Sequence, residues 1–195
     1  MSGVTVVAGH TIRRMQPADR GSLLALWERS VRITHLFLSE DDISFYRPLV
    51  AHVLVEEPCE LWVLVDPRGI AIGFLGLSAH AIEALFLDPL YRRRGWGRLL
   101  VSHAQAITRA ALTVTVNEQN TVACCFYAAL GFVLLRRSPI DEFGRPFPLL
   151  HLRRDAPRRD VAKAGVTGIR AAAAGVATAA VERHALAIAL SPTTS

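Results

Sequence analysis

The densest chemistry in the chain lies between Leu85 and Leu100. An apolar stretch, Leu85-Phe86-Leu87, runs into a turn at Asp88-Pro89. Then come Arg92-Arg93-Arg94-Gly95-Trp96-Gly97-Arg98 and a stretch with helical spacing. A strand that ends in an arginine- and glycine-rich loop before a helix is an anion cradle. The first helical turn leaves four backbone N–H groups without partners, and the helix dipole places about half a positive charge there. Glycine lets a pyrophosphate approach the backbone, and arginine adds charge at the rim. A P-loop is excluded, because no Gly-Lys-Ser/Thr follows at the required spacing. A dinucleotide fingerprint fails as well, since Leu100 stands where its third glycine belongs. Glycine at 95 and 97 alone leaves a plain basic surface turn open.

A second segment decides between these readings. Val116-Asn117-Glu118-Gln119-Asn120 is a strand ending in polar residues at a helix start, followed by Ala123-Cys124-Cys125-Phe126-Tyr127-Ala128-Ala129-Leu130-Gly131-Phe132. Together the two segments resemble the GNAT superfamily of N-acetyltransferases. Arg92-x-x-Gly95-x-Gly97 matches the acyl-CoA pyrophosphate loop. Asn120, Ala123, Phe126-Tyr127, Leu130, Gly131 and Phe132 match the second cofactor segment. The resemblance spans about residues 10–153. A narrower likeness is to the bacterial YjaB-type branch, described as peptidyl-lysine acetyltransferases. Trp27-Glu28-Arg29-Ser30-Val31, Thr34-His35 with Phe37-Leu38, and Arg137-Ser138 with Asp141 and Gly144-Arg145-Pro146-Phe147-Pro148 carry it.

The resemblance implies an α+β fold: a twisted mixed sheet of about seven strands with about four helices. Its fourth and fifth strands, here Ala81–Leu87 and Leu112–Val116, splay apart at their C-terminal ends. The pantetheine arm of acetyl-CoA is then expected along the edge formed by Leu85, Phe86 and Leu87. Arg92, Arg93, Arg94, Gly95, Trp96, Gly97 and Arg98 are expected at the pyrophosphate. Asn117 and Asn120 are expected at the arm or the adenosine side.

Acetyl transfer needs a neutral amine, and a free lysine has a pKa of about 10.4, so a proton must leave. Glu83 interrupts an apolar strand just before the splay and is the candidate base, acting through a water. The competing reading is a sheet-face carboxylate neutralised by a nearby arginine. The backbone amide of Leu87 is the candidate donor to the developing oxyanion. Tyr127 is the candidate acid for the leaving thiolate, since a phenol of pKa about 10 keeps its proton at neutral pH. A packing tyrosine is the alternative. His35, Phe37 and Asp141 are the candidates near the acceptor, with a structural histidine the competing reading for His35 and a solvated loop for Asp141. Cys59, Cys124 and Cys125 suit neither a disulfide framework nor a zinc site, and small buried apolar side chains are expected there. No metal and no acyl-enzyme are expected.

The elements that must position these groups follow from periodicity. His10–Met15 reads as a strand, residues 17–32 as a helix, and a second helix starts at Asp41-Asp42. Strands follow at Leu61–Val65, Ile70–Ser78 and Ala81–Leu87. Gly95–Arg109 is helical, Leu112–Val116 a strand, Asn117–Leu130 helical, and Phe132–Arg136 and Phe147–Leu152 are strands. Three strands in succession exclude a simple doubly wound sheet.

The chain has 195 residues, 51% of them hydrophobic and 20% charged, which is enough apolar material for one full core. Its net charge of +5 is divided unevenly. Residues 153–195 contribute +4 and residues 1–152 only +1, so nucleic-acid binding is not expected of the folded part. Residues 10–153 are the expected domain, and 155–195 an Ala/Arg-rich tail, disordered or loosely helical. No apolar run reaches the ~20 residues of a membrane span. Arg13 and Arg14 follow the apolar Val4–Ala8 stretch, the reverse of a secretory signal. A cytoplasmic monomer or homodimer is expected. Its partners would be acetyl-CoA and an amine acceptor, with protein lysine ahead of a small molecule and a non-catalytic acyl-CoA sensor as the rival class.

Overall fold

The computed structural model describes residues 5–56 and 59–156. The 155–195 tail therefore lies almost entirely outside the described residues. The order is β1 (Thr5–Val7), β2 (His10–Arg14), α1 (Arg20–Thr34), α2 (Glu40–Glu56), β3 (Glu60–Val65), β4 (Ala71–Ser78) and β5 (Ala81–Leu87). It continues with α3 (Trp96–Thr108), β6 (Leu112–Asn117), α4 (Thr121–Ala129), β7 (Val133–Ser138) and β8 (Leu149–Arg154). The fold is α+β, with one mixed sheet in the order β1-β2-β3-β4-β5-β6-β8-β7. Among the described residues eight strands form it rather than about seven. Thr5–Val7 turns at Ala8-Gly9, both at positive φ, and pairs antiparallel with His10–Ile12. No helix among the described residues is long and apolar enough to cross a membrane.

Strand alternation sorts the core into two layers. In β3, Leu61, Val63 and Val65 join the cluster under α1 and α2, while Trp62 and Leu64 join the cluster under α3 and α4. Leu23, Leu26, Trp27 and Val31 of α1 and Tyr46, Val50, Val53 and Leu54 of α2 cover the first face. Leu100, Val101 and Ala104 of α3, with Ala123 and Tyr127 of α4, cover the second. α1 is led in by the Gln16–Asp19 turn, where the Asp19 carboxylate accepts from the Gln16 amide (2.8 Å) and from the Arg13 guanidinium (2.7 and 2.9 Å). β7 is the sheet edge, and Val133, Leu134 and Leu135 on it are exposed.

Two features of β5 shape everything near it. Its register with β4 shifts at Gly76/Leu77, so Glu83 is the extra residue of a bulge. The bulge reverses the alternation: Ile82 packs under α3 and α4, whereas Ala84 and Phe86 pack under α1 and α2. On its other side, β5 pairs in parallel with β6 only at Ala81↔Thr113 and Ile82↔Val114. Beyond Ile82 the two strands part, and β6 pairs with β8 along its whole length.

Gly73 of β4 faces this region. A Cβ there would stand 2.6 Å from Leu87 Cδ2 and 2.9 Å from the Phe86 carbonyl oxygen. The Gly73→Ala substitution is expected to lower stability by about 1–3 kcal/mol, as overpacking does. Denaturant unfolding of the two proteins measures it, and an unchanged midpoint contradicts the packing.

Candidate active site

Where β5 leaves β6, a cleft of about 360 Å³ passes through the sheet. On the α3/α4 face it is lined by Leu85, Leu87, Trp96, Gly97, Phe126 and Tyr127, and on the α1 face by Ser30, Thr34 and Phe86. Arg92, Arg93, Gly95 and Arg98 ring one end, and Asn120, Val122 and Ala123 belong to the α4 wall. Eleven of the residues expected at the donor thus share one cavity, Tyr127 among them.

The loop before α3 is built for close approach of an anion. Arg93 and Gly95 both take positive φ (59° and 85°). The bond from the Leu99 amide to the Gly95 carbonyl (3.0 Å) opens the helix, so the amides of Trp96, Gly97 and Arg98 lie ahead of it. Arg92 is half-buried, while Arg93 and Arg98 are exposed at the rim. Arg94 lies outside the lining, with its guanidinium 5.5 Å from the Tyr91 ring centre. A Cβ on Gly97 would meet Phe126 at 3.2 Å and Leu87 at 3.5 Å, so glycine lets the first turn of α3 rest on both without displacing the Phe126 ring. Trp96 lines the cleft and lies against His10 of β2, ring centres 4.1 Å apart. The loop is braced from below. Asp88 accepts from the Leu90 amide (3.0 Å) and from the Arg29 guanidinium (2.7 and 3.1 Å), which fastens α1 to the end of β5.

Tyr127 is 2% exposed and lines the cleft, its ring edge-on to Phe126 and Phe132. Burial pushes its phenol above the ordinary value, so it holds its proton more firmly than a free tyrosine. Asn120 also lines the cleft and caps α4, its side-chain oxygen accepting from the Ala123 amide (2.8 Å). Asn117 ends β6, fully buried and outside the lining. Glu83 is half-buried on the bulge, one residue beyond the last β5–β6 pair, and is likewise outside the lining. Simple alternation does not carry from Ile82 through Glu83 to Ala84, because the bulge intervenes.

The residues expected near the acceptor occupy a neighbouring cluster outside the cleft lining. His35 is buried, its Nδ1 in hydrogen-bond contact with the Thr34 hydroxyl and its ring stacked on Phe37 at 5.7 Å. Phe37 meets Phe147 edge-on. Asp141 is 3% exposed. One of its oxygens accepts from the Tyr46 hydroxyl (2.8 Å), and the other from the amides of Phe143 (2.9 Å) and Arg145 (2.7 Å). Arg145 pairs in turn with Asp42 at the start of α2. Asp141 therefore fastens the loop before β8 onto α2. Cys59 and Cys124 are half-buried, but Cys125 is exposed, which corrects the expectation of three buried thiols. Burial raises the Cys124 thiol pKa, which keeps it protonated.

Sequence reasoning named Ser30 and Thr34 only among the residues of the narrower likeness and gave them no place in the site. The signal was present: Leu23, Trp27, Ser30 and Thr34 follow at helical spacing, so two hydroxyls extend the stripe that buries Leu23 and Trp27.

Residues 57–134 match the family model described as an acetyltransferase (GNAT) domain. The chain is 43% identical over 141 residues to the peptidyl-lysine N-acetyltransferase YjaB of Salmonella typhimurium, covering 72% of this chain and 95% of that one. It is 44% identical over 142 residues to YjaB of Escherichia coli, covering 73% and 95%. The solution structure of apo-form YjaB from Escherichia coli superposes with a TM-score of 0.69 at 42% identity, covering 74% of this chain and 96% of that one. At 19% identity, the PaiA N-acetyltransferase of Thermoplasma acidophilum, solved in complex with coenzyme A, shares the fold (TM-score 0.57, 73% and 97% covered). With its motif pair on one cleft and relatives of this identity over most of its length, the chain belongs to the GNAT family of acetyltransferases.

Proposed function

We propose that the protein transfers an acetyl group from acetyl-CoA directly to the side-chain amine of a peptidyl-lysine, with no acyl-enzyme. One observation carries this reading: a single cleft joins the arginine- and glycine-rich loop to Tyr127 through the gap between β5 and β6. The lysine acceptor rests on the identity to proteins named for that activity. Residues 10–153 form the catalytic domain in this reading, with 155–195 a tail outside it and the cytoplasm as the compartment.

Acetyl-CoA supplies the activated thioester, and the chain supplies the rest. The amides of Trp96 to Arg98 and the guanidinium groups of Arg92, Arg93 and Arg98 hold the diphosphate. The β5 edge, freed from β6 past Ile82, offers backbone groups at Leu85 and Leu87 to the amide-bearing pantetheine arm. The Leu87 amide donates to the carbonyl oxygen as negative charge grows there. Tyr127 gives its proton to the departing thiolate and regains one from solvent. Glu83, at the root of the gap, takes the amine proton through a water.

Calorimetry is expected to show acetyl-CoA binding at or below the millimolar range, and no heat at that level removes the reading. Tyr127→Phe is expected to lower kcat by about 10²–10⁴-fold, the range of a lost general acid, while the acetyl-CoA Kd stays within about twofold. Unchanged thiol release takes Tyr127 out of the reaction. The pH dependence has a definite sign. A raised phenol pKa keeps the acid competent into alkaline solution, and the amine becomes a better nucleophile as it deprotonates, so kcat/KM should climb between about pH 6 and 9. A falling limb in that range contradicts the assignment. Glu83→Gln is expected to reduce kcat/KM about tenfold near neutrality, with the gap closing as pH approaches the acceptor's own pKa of ~10.4. A deficit that does not vary with pH assigns Glu83 a structural role. If thiol release follows a small amine and ignores lysine peptides, the acceptor assignment changes while the donor half stands.

A further inference from the structure

Ser30 sits in the middle of α1, 5% exposed, and lines the cleft. Around it α1 buries Leu26, Trp27 and Val31, so a hydroxyl there is out of place for packing alone. The Ser30 carbonyl accepts from the Thr34 hydroxyl (2.7 Å), a bond that leaves the Ser30 hydroxyl uncommitted to Thr34. A hydroxyl on the wall of an open cleft can bond water there and exchange that water for a polar group of an incoming ligand.

The cleft's two faces tell what meets that hydroxyl. Tyr127 and the diphosphate loop stand on the α3/α4 face, so the thiol half of the donor leaves on that side. The nucleophile must approach the carbonyl from elsewhere, and the other face of the gap is walled by α1 and Phe86. Arg29, one residue before Ser30, is fixed to Asp88 at the end of β5, so α1 cannot drift from the reacting edge.

We infer that Ser30 is the acceptor-binding residue on the α1 face: its hydroxyl oxygen accepts an N–H from the incoming primary amine and turns the nitrogen lone pair toward the thioester carbonyl. Thr34, one helical turn on, commits its hydroxyl proton to the Ser30 carbonyl or to His35 and walls the amine's path. No bond forms to Ser30, and no proton passes to it. The inference rests on the acetyl-transfer reading above and names the residue that receives its acceptor.

The experiment measures binding as well as turnover, using coenzyme A and N-α-acetyl-lysine methylamide as probes on the full chain. Ser30→Ala is expected to weaken the lysine mimic about tenfold, as Kd on the coenzyme A complex and as KM, with acetyl-CoA Kd and thermal midpoint unchanged. Ser30→Cys keeps the volume but loses the strong acceptor, and should behave like Ser30→Ala. Equal affinity for the mimic in Ser30→Ala overturns the inference. So does recovery by Ser30→Cys, which makes the effect one of volume. A loss confined to acetyl-CoA affinity overturns it too and gives the hydroxyl to the pantetheine arm. If the parent binds acetyl-CoA but not the mimic, the acceptor seat is refuted while the donor site stands. If it does not bind acetyl-CoA, the acetyl-transfer reading itself fails.

Discussion

The structure depends on one broken ladder. A parallel pair of strands normally continues its hydrogen bonds to the end of the shorter strand, but β5 and β6 share only two residue pairs before they diverge. Backbone donors and acceptors buried in a protein need partners. β6 finds its partners on the other side, pairing with β8 from Leu112 to Asn117. β5 keeps β4 on one side and opens the other to the cleft. A ligand rich in amides can complete that edge, and the arrangement favours an extended arm over a compact one.

The divergence is held open by packing on both faces. Gly97 lets α3 settle on Phe126 and Leu87, Gly73 leaves room for Leu87 itself, and the bulge at Glu83 re-aims the strand as it leaves its neighbour. On the far side, Arg29 and Asp88 anchor α1 to the point where β5 ends. Asp141, Tyr46, Arg145 and Asp42 then tie the last loop to α2, so the loop before β8 and the second helix form one braced unit beside the cleft. The loop before α3, by contrast, carries exposed arginines, Arg93, Arg94 and Arg98, which are open to solvent.

Much of this was legible in the sequence, for physical reasons. The strand, arginine–glycine loop and helix at 85–100 announce themselves because anion binding needs those residue types in that order, and Asn120 with Phe126-Tyr127 fixes the second wall. Helix and strand spacing gave the order of elements correctly from His10 onward. What periodicity could not give was geometry that depends on neighbours. The bulge at Glu83 arises from the register between β4 and β5, not from β5 alone. The hairpin strand Thr5–Val7 is short and mostly exposed, so no burial pattern marks it. Asp141 looks like a loop carboxylate until the fold brings Tyr46 against it across 95 positions. Ser30 was hidden because a serine on a helix is ordinary, and only its place in the gap makes it notable.

The outermost strand has a consequence of its own. β7 exposes Val133, Leu134 and Leu135 in succession on an unpaired border, the composition most inclined to zip onto another chain. The two arginines that follow, Arg136 and Arg137, act as gatekeepers, and the irregular register between Leu134 and Arg136 bends the border away from the straight geometry a mispaired strand needs. Arg137 is already engaged with Glu118, so much of that guarding falls to Arg136. Among the described residues, the charge that guards this border against mispairing thus sits at the rim of the sheet opposite the N-terminal hairpin.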